Sequence, residues 1–230
     1  MNTSIKAYRS VIWVATCLLA VDLALVVIHC LKLLNICFDR PFFSIEEDRG
    51  LAELIQYTQE LAIVVLLILS AIRHKIKALY AWVALFVYVV ADDAFSIHEN
   101  VGKYLSDYGE FAPSFFRPQD IGELIVSGSA GLILFSLIGL CYPRGSSAFR
   151  SITHDIILLF SGLVFFGVFV DSIHGAINAF TGELGLIEDG GELVVISLIL
   201  VYVWAVFSVP MEKQVRVVDG IWSSVRARFF

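Results

Sequence analysis

Six apolar stretches decide what this chain can fold into. They run over residues 10–34, 51–72, 78–98, 120–141, 153–175 and 190–209, each close to the roughly 20 residues that a helix rising 1.5 Å per residue needs to cross a ~30 Å hydrocarbon layer. The expected fold is therefore all-α, a polytopic membrane bundle of about six transmembrane helices. Composition agrees: 58% of the 230 residues are hydrophobic, 17% are charged, and the mean hydropathy is +0.82, whereas a soluble domain is about 25% charged. The bilayer is the expected partner and nucleic acid is not.

The basic residues assign the two sides. Lys6, Arg9, Arg73, Lys75, Lys77, Arg144, Arg150, Lys213, Arg216, Arg226 and Arg228 all fall on the side of both termini, which the positive-inside rule makes cytoplasmic. The opposite connections, around "FDRPFFSIEEDRG", "NVGKYLSDYGEFAPSFFRPQD" and "AFTGELGLIEDGG", are acid-rich and expected outside. Residues 1–209 form one transmembrane domain. The remainder, 210–230, reads as a cytoplasmic tail, either basic or a short amphipathic helix carrying Val218, Ile221, Trp222 and Val225 on one face. A retained first span, rather than a cleaved signal, fits the length of the first apolar run. The four cysteines show no metal or disulfide spacing.

Ionisable residues inside apolar helices are costly, about 2.5 kcal/mol or more apiece, and persist where they pair or do work. Here they share one stratum. With straight helices in this orientation, the second span carries Glu53 and Glu60, the third Asp92, Asp93, His98 and Glu99, the fifth Asp171 and His174, and the sixth Glu188, Asp189 and Glu192. All fall in the outer half. Asp171 and His174 are three apart, and Glu188 and Glu192 four apart, so each pair shares a helix face. The second pair requires a helix that begins before Gly190 and Gly191. Asp92 and Glu99 would lie about 10 Å apart along a continuous helix, too far to share one ion.

The expected metal ligands are thus His98, Glu99, Asp171 and His174, with Glu188 or Glu192 closing the shell, while Asp92, Asp93 and Glu60 orient ligands or hold protons as catalytic groups. Mixed imidazole and carboxylate donors suit a divalent metal such as zinc, iron or manganese. Glu53, Glu123 and Asp189 are expected in headgroup water. Asp22 and His29 share a face of the first span and read as a structural polar pair. His74 and His154 lie at the far side, out of reach of the cluster.

The motif "DDAFSIHEN", of the form D-[DE]-x4-H-E, and the later "EDGGEL", of the form E-[ED]-x2-E-[LM], resemble a group of bacterial multipass membrane proteins of unassigned activity; "EEDRGLAELIQ" at the second span extends the likeness over most of the chain. More distantly, the chain is compared with the seven-span metal-dependent lipid hydrolases that include the alkaline ceramidases. Those carry an HxxxH on the last span, and this sequence has none. What the comparison implies is a metal-activated water acting on an ester or amide at the membrane interface. The expected function is an inner-membrane metal site for chemistry on a lipid or membrane-soluble substrate. A cation or proton transporter using the same acids, or a non-catalytic subunit of a membrane complex, are the other readings.

Overall fold

A computed structural model describes residues 2–38, 40–109, 117–176 and 181–209. The expected tail, 210–230, lies outside these. The described chain is all-helical: α1 (Asn2–Leu33), α2 (Leu51–Arg73), α3 (Tyr80–Phe95), α4 (Ile97–Tyr108), α5 (Pro118–Cys141), α6 (Ser147–Val164), α7 (Asp171–Ala176) and α8 (Thr181–Ser208), with a widened π turn over Phe165–Val170 joining α6 to α7. Among the described residues six stretches are long and apolar enough to cross a membrane: Lys6–Leu33, Leu51–Arg73, Lys77–Phe95, Pro118–Cys141, Ser147–His174 and Gly182–Ser208.

Two boundaries differ from expectation for local chemical reasons. The third apolar helix stops at Phe95 rather than running to 98, because Ser96 takes a left-handed conformation (φ 48°, ψ 49°). That turn frees the backbone N–H of His98, which donates to Asp92 Oδ1 at 2.8 Å, and Asn100 Nδ2 donates to the Ser96 carbonyl at 2.7 Å. These bonds satisfy groups that a helix break would otherwise orphan. The sixth helix starts near 181 rather than 190 and carries Gly190 and Gly191 in its interior, so the condition on the Glu188 and Glu192 pair is met.

The segment after the break, expected as a loop, contains the polar helix α4, which lies against α5. Their backbones meet at Gly102 and Gly122, where a Cβ on Gly122 would collide with the Gly102 carbonyl. Small residues at such a crossing let helices approach closely enough for dense packing. At the start of α5, Pro118 occupies the first turn, where its missing N–H costs nothing, and Asp120 accepts from both the backbone N–H and the guanidinium of Arg117. Ser146 caps α6 by accepting from Phe149 N at 3.2 Å.

The main core lies between α2, α3, α6 and α8, around fully buried Ile63, Leu67, Trp82, Phe86, Ile156 and Ile196. It fills the end of the bundle that carries the basic connections. Trp82 Nε1 donates to Thr153 Oγ1 at 3.1 Å, and Tyr202 donates to Asp155 Oδ2 at 2.9 Å. His74 bonds the Val206 carbonyl, and His154 the Tyr142 hydroxyl, which keeps both histidines away from the acidic end, as expected.

Candidate functional site: an acid-walled cavity with two carboxylate–histidine pairs

At the opposite end the same helices separate around a cavity of about 870 Å³. Its wall draws on the start of α2, the α3–α4 break, the start of α5, the π turn with α7, and the first half of α8. Carboxylates dominate it, Asp92, Asp93, Glu99, Asp171, Glu188 and Glu192 among them, and among the described residues Arg117 is the one lysine or arginine in its lining. That guanidinium is held by Asp120 at 2.8 Å. The inner part is apolar, with Leu85, Phe135, Phe160, Leu163 and Val168 on its surface, and Gly128 and Gly131 of α5 have no atom within 4 Å of where a Cβ would stand. Phe135 meets Phe160 edge-on at 5.6 Å between ring centres.

Two histidines face this space, and each is held by a carboxylate. His98 Nδ1 lies 2.9 Å from Asp92 Oδ2, across the Ser96 turn, and His174 Nδ1 lies 2.7 Å from Glu188 Oε2, from α7 to α8. A carboxylate at Nδ1 fixes the tautomer with its proton there and leaves the Nε2 lone pair for a metal or a proton. The straight-helix separation of Asp92 from His98 therefore does not hold: the break folds His98 back onto Asp92. Likewise His174 takes its bond from Glu188 rather than pairing with Asp171 three residues earlier.

His98 sits outside the apolar spans. Burial alone would lower its pKa, but the hydrogen bond and charge of Asp92, helped by Glu99 and Glu123, outweigh that and push it up to about 9. The same carboxylate that orients the ring therefore favours a second proton on it, and a metal at Nε2 would compete with that proton. Burial pushes the carboxyl of neighbouring Glu99 above the usual range, against the charge of His98.

Glu192 points another way from Glu188. Its carboxylate occupies the space a Cβ on Gly167 would take, so the absence of a side chain in the π turn is what admits it. Phe166 likewise rests where Gly191 has no side chain. π turns widen a helix by one residue and recur at functional sites. Gln56 Nε2 lies 3.5 Å from Glu192 and 3.4 Å from Glu60. Glu60 is fully buried, behind the cavity wall, with Gln56 at its Oε1, its Oε2 without a hydrogen-bond partner, and the carboxyl of Asp93 as a neighbouring charge. Neighbouring buried carboxyl groups disfavour carrying two negative charges at once. Tyr57 donates to the Asp93 carbonyl at 2.9 Å.

All six expected ligands, and Asp92 and Asp93 of the expected catalytic groups, thus line one cavity; Glu60 joins it only through Asp93 and Gln56. Among the described residues no three of these groups draw together into a preformed metal cluster. Glu53, Glu123 and Asp189, expected in headgroup water, also line the cavity. Asp22 and His29 are not partners: His29 Nδ1 receives Ile45 N–H at 3.2 Å and faces Ser44 Oγ at 3.3 Å, tying the connection before α2 to α1. Sequence reasoning missed Gln56, the Arg117–Asp120 pair and the π turn. Gly167, opposite Glu192, and Gly191, opposite Phe166, were the available signals of close approach.

The fold and site define a bundle of six long apolar helices with an acid-walled, histidine-bearing cavity at one end. The chain belongs to the DUF8692 family, a domain of unknown function whose model matches residues 6–206. No curated protein and no solved structure matches it.

Proposed function

We propose that this protein is a multipass protein of the plasma (inner) membrane, with both termini cytoplasmic and the acidic cavity opening outward, and that the cavity binds a divalent metal for chemistry on an amphiphilic substrate. Nε2 of His98 and of His174 would be ligands, with Glu99, Asp171 and Glu192 supplying carboxylate oxygen. Zinc, iron or manganese fits such donors. Asp92 and Glu188 take the positioning role, each holding one imidazole. The apolar inner part of the cavity suits the chain of a lipid or another membrane-soluble molecule, and the acidic rim its polar head. A bound metal would supply Lewis acidity and a water of lowered pKa; Asp93 and Glu60, neighbouring carboxyl groups beside it, are placed to move a proton.

The observation that carries this reading is that two independent carboxylate–histidine pairs from four different helical segments face one cavity. Elemental analysis of the purified protein tests it. Near-stoichiometric metal is expected, with most of it lost in His98→Ala or His174→Ala; metal-free wild-type protein of unaltered fold overturns it.

Movement of a cation or of protons is the second reading. It is favoured by the polar groups that continue behind the cavity wall at Glu60 and, further along the bundle, at Asp22.

A further inference from the structure

Halfway along the apolar part of α1, Asp22 is 1% exposed and faces Ser197 of α8 and Gln59 of α2. The three side chains make an incomplete set. Ser197 Oγ donates to Gln59 Oε1 at 3.4 Å, which uses the only hydroxyl proton of the serine. Among the described residues no donor reaches either carboxyl oxygen of Asp22 at hydrogen-bonding geometry, and Gln59 Nε2 is buried without an acceptor. Among the described residues no basic side chain forms an ion pair with Asp22. The titratable groups on the adjoining stretches of the same helices are engaged elsewhere at one atom each: His29 on α1 takes Ser44 and Ile45 at Nδ1 while its Nε2 is buried without a partner, Glu60 on α2 takes Gln56 at Oε1 while its Oε2 is buried without one, and Glu192 on α8 takes Gln56.

What the set lacks follows from its donors and acceptors. Gln59 Nε2 can turn to one oxygen of Asp22, since both are otherwise unused. That leaves the second oxygen of Asp22 facing a lone pair of Ser197 Oγ, two acceptors with nothing between them and one negative charge uncompensated. One positive charge completes it. A hard metal cation takes about six oxygen ligands, and this set offers three side chains between helices whose carbonyls are already used in their own ladders. A proton needs only the two oxygens. With Asp22 protonated, its O–H donates to Ser197, Ser197 to Gln59 and Gln59 back to Asp22, a closed ring in which every group both gives and receives.

We infer that Asp22, Gln59 and Ser197 form an exchangeable proton-binding site in the interior of the bundle, separate from the cavity and its histidines. Under the orientation proposed above, this places an exchangeable proton near mid-membrane. The site does not depend on the metal reading.

Infrared difference spectroscopy of the full-length protein in lipid nanodiscs, wild type against Asp22→Asn at neutral pH, tests it. The expected result is one acid carbonyl band in the wild type that moves in deuterated buffer and is absent from the variant. Ser197→Ala serves where Asp22→Asn fails to fold: it should keep the band and shift its frequency, because the acid loses its acceptor. Absence of an acid band assignable to Asp22, loss of the band on adding sodium, or a band that never responds to deuterium would each overturn the inference.

Discussion

The two ends of this bundle are built from the same helices and solve opposite problems. At the end with the basic connections, Trp82, Phe86, Ile156 and Ile196 close the space completely, and Trp82 and Tyr202 find a partner for their polar atoms. At the acidic end the helices separate around about 870 Å³, glycines replace large side chains at Gly128, Gly131 and Gly167, and costly carboxylates accumulate. In a bilayer, as proposed for this chain, helices gain no hydrophobic drive to associate, and dense packing would hold them together. One end supplies that packing. The other is thereby free to keep an open polar site.

This division of labour can be broken at either end. The largest effect on folding is expected from Phe86→Ala, which removes a fully buried ring that packs on Trp82 and meets Phe160 edge-on at 6.0 Å between centres. A loss of about 3 kcal/mol or more in folding stability is expected, read as a lower thermal midpoint in detergent, with residual metal content per folded molecule unchanged. Equal loss of metal and stability would mean that the ends are not separable.

Gly167→Ala should have a smaller effect on the fold and a sharper one on the site. The new methyl meets the end of the flexible Glu192 side chain rather than backbone, so the cost in stability should stay within about 1 kcal/mol. Glu192, however, must leave its seat in the π turn. Metal affinity should fall while the thermal midpoint barely moves; the opposite pattern would make Glu192 a packing residue.

Much of this architecture was legible in the sequence. Six apolar runs correspond to six long helices, and the acids spaced along four of those runs converge because alternating helices return to the same end of a bundle. What escaped were the places where a side chain overrules the regular helix. Axial arithmetic along the third span assumed a straight helix, but the capture of His98 N–H by Asp92 across a left-handed Ser96 is a competition between side chain and ladder that periodicity does not register. Glu53, Glu123 and Asp189 were read from nearness to the interface, whereas their surroundings depend on a cavity assembled by other helices. Asp22 and His29 share a helix face, yet face sharing cannot say which neighbours will meet them.

The central claim is that Asp92 and Glu188 prepare two imidazoles to bind metal, and titration of metal into the chelated Asp92→Asn protein tests it most directly. Asp92 uses one oxygen for His98 N–H and the other for His98 Nδ1. In the asparagine variant the amide oxygen must keep the backbone N–H, so the NH₂ group faces Nδ1 and forces the ring proton onto Nε2, the wrong tautomer for ligation. The account predicts a fold that survives and an affinity lowered by about 10- to 100-fold, with Glu188→Gln weakened in the same range. Unchanged affinity in both variants would contradict it.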